Sequence, residues 1–486
     1  MTTTTTSSSA TIRARLNHPV IDADGHTIEF VPAFLDYLRQ VGGPKIVERY
    51  HAAQEEARWL DWYRRSWEDR RDRRTTRPIW WALPTKNTLD RATATLPKLL
   101  NERIEEIGLD FTIIYPSVGL AFYLIEDEEV RRACCRAMNH FHADLYRAQA
   151  ARMTPAAIIP MNTPQEAIEE MEYAVKVLGM KVFMVADYVL RPIPAVARQA
   201  PEVAHYARWM DTFCLDSVYD YDPVWAKCVE LQVAPTFHSL GIGWGSRTSI
   251  SNFMYNHIGH FAAAGEALCK ALFMGGVTRR FPTLQFAFLE CGVGWACSLY
   301  ADMIGHWEKR NPQALEHHNP ANLNRELLVD LYRRYGGTMM ADRLDHVGKD
   351  LGLFGNSREE PAMLDEWARC GITKAEDIRD LFVPHFYFGC EADDPINAWA
   401  FNSKVNPCGA KLKAIFSSDI GHWDVSDMRE VVAEGYELVE KGLLSEADFR
   451  EFVFVNPVTL WTGMNPAFFR GTAVEKDVDK LLLSSQ

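Results

Sequence analysis

Three features that would assign the protein to other classes are missing from its sequence. None of the ten cysteines lies in a Cys-x-x-Cys pair, so we interpret them as reduced core thiols in a cytoplasmic protein. The longest apolar stretch, residues 111–125, is interrupted by Pro116 and Gly119 and is too short to span a membrane. Basic residues do not predominate, since 52 Lys and Arg face 65 Asp and Glu. The resulting net charge of −13 argues against nucleic acid or an anionic membrane as the main partner.

A secretory signal is also missing, because the first ten residues, MTTTTTSSSA, contain no apolar core. We expect residues 1–16 to form a disordered tail, and residues 471–486 to form a second tail at the carboxyl end. Between the two tails, residues 17–470 are long enough for a single barrel domain with insertions.

Short β-rich apolar runs alternate with helical patterns along most of the chain, which is typical of βαβ units and a parallel sheet. Eight such runs predict strands at residues 19–23, 111–115, 156–159, 181–185, 233–237, 284–289, 385–388 and 414–417. The predicted fold class is therefore α/β, a (β/α)8 TIM barrel with helical insertions and a helical C-terminal extension. The insertions, at about residues 40–100 and 305–380, are long enough to cap the barrel mouth or to make subunit contacts.

Polar residues stand where four of these strands end. Asp24 and His26 share one face of the first strand, because side chains two apart on a strand point the same way. His238 ends the fifth strand, Glu290 the sixth and Asp419 the eighth. The carboxyl ends of barrel strands form the active face. Imidazole and carboxylate groups in this mixture predict a site for a divalent metal ion.

Three further polar residues each allow a structural and a functional interpretation. His422 follows Asp419 by three residues. It either reaches the substrate or the surroundings of the ion, or it forms a hydrogen bond to the backbone in a turn. Asp187 ends the fourth strand and is either a pocket residue or a helix cap. Glu391 ends the seventh strand, where it could orient a metal ligand or bind a substrate amine.

A long helix is predicted over residues 257–273. It places His257 and His260 on one face, because they are three residues apart. His257 is therefore a candidate ligand for a second ion, and the alternative is that it packs at the start of the helix.

Three segments resemble the amidohydrolase-related family, in the branch that includes aminocarboxymuconate semialdehyde decarboxylase and γ-resorcylate decarboxylase. The segments are IDADGHTIE (21–29), FLECGVGW (288–295) and SSDIGHWD (417–424). The resemblance implies a metal-bearing (β/α)8 barrel. In this sequence the family's strand-one motif is matched by Asp24-Gly25-His26, its strand-five histidine by His238 and its strand-eight aspartate by Asp419.

The sequence departs from those decarboxylases at two positions. Asp24 stands where the strand-one motif has its first histidine, and Glu290 stands where the decarboxylases have an acid/base histidine on strand six. Three carboxylates around the ion favour harder metals such as Mn or Fe, with Zn as the alternative, and leave room for one ion or two.

Three other segments, NHIGHF (256–261), FGCEADDP (388–395) and FVFVNPVTLWTGMNP (452–466), are similar to the subgroup that hydroxylates α-aminoisobutyrate, or 2-methylalanine. This resemblance implies a two-subunit, dimetal, O2-dependent monooxygenase. It also implies a hetero-oligomer with a related barrel subunit, and a homo-oligomer is the alternative.

These observations lead to one preferred interpretation and two alternatives. The preferred one is an O2-activating dimetal hydroxylase of a small amino acid or carboxylate such as 2-methylalanine. The first alternative is a hydrolase or non-oxidative decarboxylase of a small molecule, which uses a metal-activated water with Asp419 as base. The second is a degenerate, non-catalytic partner subunit. We expect catalysis from Asp419, Glu290 and His422, and metal binding by Asp24, His26, His238, His257, Glu290 and Asp419.

Overall fold

The computed structural model describes residues 7–56, 62–79, 86–239, 245, 247–347 and 364–484. Eight short parallel strands follow one another along this part of the chain. They are β1 (Ile21–Thr27), β2 (Phe111–Pro116), β3 (Met153–Pro155 and Ala157–Ile158), β4 (Phe183–Val185), β5 (Pro235–Phe237), β6 (Phe286–Phe288), β7 (Phe386–Glu391) and β8 (Lys413–Ser417).

Each strand pairs in parallel with the next one along the chain. The barrel closes between β8 and β1, where the Asp419 amide donates to the Asp24 carbonyl at 2.9 Å and the His26 amide donates to the Ile420 carbonyl at 2.8 Å. The strands are buried on both faces, as expected for a parallel sheet covered by helices. The predicted (β/α)8 barrel is therefore confirmed.

The strand boundaries differ from the prediction most at β1. The first strand was predicted over residues 19–23 with Asp24 and His26 at its end, and it continues pairing with β2 as far as the register Thr27↔Pro116. Asp24, Gly25 and His26 consequently lie within the strand, and the backbone hydrogen bonds of both neighbouring strands hold them in place.

Helices surround the barrel and form its insertions. The described α-helices are α1 (Ser8–Arg15), α2 (Val31–Glu56), α3 (Trp67–Arg73), α4 (Thr88–Thr93), α5 (Pro97–Ile107), α6 (Glu128–Tyr146), α7 (Pro164–Lys176), α8 (Pro194–Gln199), α9 (Asp222–Leu231), α10 (Phe253–His257), α11 (His260–Met274), α12 (Val277–Arg280), α13 (Gly294–Arg310), α14 (Arg325–Tyr335), α15 (Gly337–Ala341), α16 (Ala375–Phe382), α17 (Asn397–Phe401), α18 (Val431–Glu440), α19 (Glu446–Arg450), α20 (Asn456–Met464) and α21 (Glu475–Ser484). None of them is both long and apolar enough to cross a membrane.

The disorder expected for residues 1–16 is wrong for the described part of that segment. Residues 8–15 form α1, which begins at an N-cap where the Ser7 hydroxyl accepts a hydrogen bond from the Ala10 amide. The hydroxyl of Ser9 is buried and accepts the amides of Val432 and Ala433 in α18. The serine-rich composition of this segment suggested disorder, but Ser7 and Ser9 cap the starts of α1 and α18 instead. Residues 1–6 lie outside the described part.

In the described residues, the two insertions and the C-terminal extension form helices, as predicted. The first insertion contains the end of α2 and helices α3 to α5, and the second contains α14 to α16. At the carboxyl end, the expected tail contains α21 (Glu475–Ser484), which buries Val478 and Leu481, and residues 485–486 lie outside the described part. All ten cysteines are free thiols.

Candidate metal centre

The carboxyl ends of β1, β5, β6 and β8 bring five predicted ligands together at one mouth of the barrel. No side chain among the five is more than 4% exposed to solvent. They are Asp24, His26, His238, Glu290 and Asp419.

His26 lies in the middle of this group. Its Nε2 atom is 3.4 Å from Asp24 Oδ1 and 3.4 Å from Asp419 Oδ1. Its ring stacks on that of His422, with 3.7 Å between the ring centroids. His26 therefore links the β1 and β8 sides of the centre.

His238 supplies the β5 side of the centre. Its Nδ1 atom lies 3.0 Å from the Ser239 carbonyl, a contact that places the proton on Nδ1 in the neutral ring. The other nitrogen, Nε2, then faces inward, 3.2 Å from His26 Nε2 and 3.0 Å from Glu290 Oε2. This is the orientation in which a histidine presents a lone pair to a metal ion.

The backbone is strained at two of the acidic residues. Glu290, just after β6, has φ of +52°, and Asp419, just after β8, has φ of +51°. Non-glycine residues rarely adopt this left-handed region, and such strain is typical of functional sites. Each strained residue turns its carboxylate into the barrel mouth.

Gly25 and Asp22 explain the local sequence of β1. A Cβ atom on Gly25 would lie 2.8 Å from both Asp22 Oδ2 and Thr112 Oγ1, so only glycine fits there. The Asp22 carboxylate accepts hydrogen bonds from the hydroxyls of Thr112 and Ser418, both at 2.7 Å. Asp22 therefore ties β1 to β2 and β8, and supports the centre without joining it.

The electrostatics of the centre are unfavourable without a cation. Burial, reinforced by the Glu290 charge, raises the pKa of Asp24 and of Asp419 well above the ordinary range. Burial also lowers the pKa of His26 well below its usual value. Burial lowers the pKa of His238 as well, but Glu290 and Asp24 outweigh this effect and bring it to about 9.

The donor set fits a divalent ion. Both carboxylate oxygens of Asp24 and of Asp419 are buried. Asp419 Oδ1 contacts His422 Nδ1 at 2.6 Å, and the other three oxygens have no hydrogen-bond partner among the described residues. Buried carboxylates of this kind need a cation or a proton to compensate for lost hydration. Two overlapping groups have ligand atoms within 4.8 Å of one another, one of Asp24, His26 and His238, the other of His26, Glu290, Asp419 and His422.

The structure does not bring His257 into either group. The helix predicted over residues 257–273 is broken at Gly259, whose φ is +71°, so His257 ends α10 and His260 begins α11. The shared helix face assumed from their spacing is therefore not formed. The His257 ring packs against Phe261 and Trp423 instead, with centroid distances of 5.4 and 5.5 Å.

The sequence interpretation missed two features of the site's surroundings. Ser117 contacts His422, with Oγ 3.0 Å from Nε2, although 305 positions separate the two residues. Asp424 forms a third acidic group with Glu290 and Glu391, again within 4.8 Å. Asp424 belongs to the SSDIGHWD segment, which could have indicated it, whereas no local pattern marks Ser117.

The other candidate residues have clear positions. Asp187 is buried after β4 and accepts a hydrogen bond from the Ser239 hydroxyl. No helix follows it, because the chain continues into an antiparallel strand, Val189–Pro192, so the helix-cap interpretation is wrong. Glu391 ends β7 with its side chain exposed, and partial loss of hydration together with the nearby charges of Asp424 and Glu290 raises its pKa to about 7.

Fold and site together define a (β/α)8 barrel with a candidate metal centre at the carboxyl ends of its strands. In sequence, residues 110–322 match the family described as Amidohydrolase. Comparison with curated proteins gives no match.

Several solved structures are similar to the chain at low sequence identity. An amidohydrolase from Mycobacterium avium subsp. paratuberculosis K-10 is 16% identical, with a TM-score of 0.54, and the alignment covers 92% of this chain and 100% of that one. A 2,6-dihydroxybenzoate decarboxylase from Rhizobium is 14% identical, covering 92% and 99%, with a TM-score of 0.43. A dihydroxybenzoic acid decarboxylase from Polaromonas sp. JS666, with bound manganese, is 15% identical, covering 92% and 97%, with a TM-score of 0.44.

Proposed function

We propose that the protein is a metal-dependent hydrolase or non-oxidative decarboxylase of a small molecule, with Asp419 as the general base. The observation that carries this proposal is the environment of the Asp419 carboxylate. Its Oδ1 atom lies 2.6 Å from His422 Nδ1, and its Oδ2 atom is buried without a hydrogen-bond partner among the described residues. A carboxylate oriented in this way is available to accept and return a proton.

Five side chains form the proposed ion site: Asp24, His26, His238, Glu290 and Asp419. The three acids make it rich in oxygen, which favours Mn or Fe and leaves Zn as an alternative. When bound, the ion supplies a Lewis acid that polarises a substrate oxygen and makes water acidic.

The residues of the chain would move the proton. In hydrolysis, Asp419 takes a proton from water at Oδ2 and returns it to the leaving atom. In decarboxylation, Asp419 takes the proton of the substrate's carboxylic acid at Oδ2 and delivers it to the carbon that loses CO2, so that RCO2H gives RH and CO2. His422 holds Oδ1 in either case, and Glu290 lies beside Asp419, with ligand atoms of the two residues within 4.8 Å of each other.

The proposal is tested by turnover without oxygen. Full-length protein is stripped with EDTA and reloaded anaerobically with Mn²⁺, Fe²⁺ or Zn²⁺. It is then assayed for CO2 release from small aromatic and aliphatic carboxylic acids, and for cleavage of amides and esters. We expect turnover at the same rate with and without O2, and loss of turnover in Asp419→Asn. Turnover that requires O2, with one O2 consumed per product, would contradict the proposal.

A second candidate function is O2-dependent hydroxylation. The observation that favours it is the acidic group of Glu290, Glu391 and Asp424, which adjoins the main centre and provides oxygen ligands for a second ion. The match to the amidohydrolase family supports non-oxidative chemistry better than this candidate. Two ions per chain, with O2 uptake in the presence of 2-methylalanine, would favour the hydroxylase.

A further inference from the structure

Glu29 is a buried carboxylate that lies three residues beyond His26 and outside the ligand group. Its Oε2 atom accepts the Val118 amide at 2.8 Å, and its Oε1 atom accepts the Gly119 amide at 3.2 Å. These amides open the 3₁₀ helix Val118–Leu124 that follows β2. Amides at the start of a helix have no partner within it, so Glu29 fixes this start from outside.

Ser117 is the residue immediately before that helix, and it faces the metal centre. Its Oγ atom lies 3.0 Å from His422 Nε2, while its own amide donates to the Thr27 carbonyl at 3.2 Å. The other ring nitrogen of His422, Nδ1, lies 2.6 Å from Asp419 Oδ1. A continuous series of contacts therefore leads from Glu29 through Ser117 to His422 and Asp419.

The turn between these residues has little freedom to shift. A Cβ atom on Gly119 would lie 2.4 Å from Ile158 Cδ1 and 2.8 Å from Pro116 Cβ, so the backbone is packed directly against the barrel wall. Losing the Glu29 carboxylate would leave two amides without partners in this tight space. The position of the Ser117 hydroxyl thus depends on Glu29.

We propose that Glu29 and Ser117 are positioning residues that hold His422 with Nδ1 directed at Asp419 and the metal ion. Ser117 engages Nε2, so Nδ1 is the nitrogen that remains to face the centre. This inference rests on the metal centre of the proposed function, but it does not depend on which reaction the centre performs. It assigns a role to two residues that are not ligands.

A double-mutant cycle on metal binding tests the proposal without a substrate. Mn²⁺ affinity is measured by calorimetry on EDTA-stripped full-length protein for wild type, Ser117→Ala, His422→Asn and the double variant. We expect Ser117→Ala to weaken Mn²⁺ binding about tenfold, because groups that orient metal-site residues have effects of this size. We expect no further weakening when Ser117→Ala is added to His422→Asn, since the hydroxyl then has no ring to position.

Two further variants separate positioning from general stability. Glu29→Gln keeps one acceptor oxygen, and we expect it to weaken Mn²⁺ binding in the same His422-dependent manner. Ser445→Ala is the matched control, because Ser445 caps α19 by accepting the Asp448 amide at 3.1 Å. This control should leave Mn²⁺ affinity unchanged. If Glu29→Gln fails to fold, the Ser117→Ala variant alone tests the positioning role, because removing a single hydroxyl leaves the fold intact.

The electron paramagnetic resonance spectrum of bound Mn²⁺ gives a second measurement. Ser117→Ala and His422→Asn should change it in the same way. The positioning role would be overturned if Ser117→Ala weakened Mn²⁺ binding equally in wild type and in His422→Asn. It would also be overturned if Ser117→Ala left the Mn²⁺ affinity of wild type unchanged. If wild type binds neither Mn²⁺ nor Zn²⁺, the proposed metal centre itself is wrong and this inference fails with it. Equal weakening or unchanged affinity would contradict only the positioning role and would leave the proposed function intact.

Discussion

The metal centre and the second insertion differ in the groups that they leave without partners. These groups are buried carboxylates in the centre and exposed apolar side chains in the insertion. In the centre, both oxygens of Asp24 and the Oδ2 atom of Asp419 are buried without hydrogen bonds to the described residues. In the helical arm, which we define as residues 311–347, apolar side chains face solvent. Helix α14 buries none of its residues, and Tyr335 and Met339 are 79% and 76% exposed.

Each region therefore needs something that the described chain does not supply. Buried carboxylates are stable only beside a cation or after taking up a proton. A contiguous exposed apolar surface marks a site of contact with another protein. The centre thus has buried acids that require a cation, whereas the arm has an exposed apolar surface that we predict to associate. Three predictions test this comparison.

The largest expected effect is on metal binding by the centre. Asp24→Asn removes a ligand charge, so we expect more than about 100-fold weaker Mn²⁺ binding. Metal content after gel filtration should fall almost to zero. The same variant should make the metal-free protein more resistant to urea, because one buried negative charge is gone.

A buried carboxylate elsewhere provides the control for Asp24. Asp90 is paired with Arg103 at 2.7 Å and belongs to none of the groups that could hold an ion. Asp90→Asn should lower stability and leave the metal content unchanged. Loss of metal from both variants would show that the measurement reports folding and not ligation.

The sequence predicted the centre because its determinants are local. Strand periodicity placed Asp24 and His26 on one face, and polar residues at strand ends marked His238, Glu290 and Asp419. His257 was wrongly grouped with His260 because the pattern did not show that Gly259 breaks the helix. The role of Ser117 depends on a contact with a residue 305 positions away, which no local pattern contains.

A smaller effect is expected from Asp187, which is buried near the centre without being a ligand. Burial raises its pKa to about 6, above its value in an unfolded chain. The folded protein therefore holds this proton more tightly, so stability decreases as pH rises from about 4 to 6. Above pH 6 the buried charge costs about 3 kcal/mol at most.

Asp187→Asn should remove this pH dependence, since asparagine still accepts the Ser239 hydroxyl. Urea unfolding of metal-free protein should show the variant to be more stable than wild type at pH 7.5, with a smaller difference at pH 4.5. An equal difference at the two pH values would mean that Asp187 does not change its charge in this range.

The smallest effect is expected in the helical arm, where we predict self-association of two copies through α14. Leu327, Leu331 and Tyr335 recur every four residues and form one apolar stripe, as in helices that pack against a partner. Charges of both signs flank the stripe, so an antiparallel second copy can pair them.

Leu331→Glu should weaken association by about 2 kcal/mol, because each copy loses an apolar contact and buries a charge. Sedimentation equilibrium measures this, with Arg333→Gln as a control of equal charge change on the polar face. A monomeric wild type would contradict the prediction. The helical arm would then have to contact a protein other than a second copy of this chain.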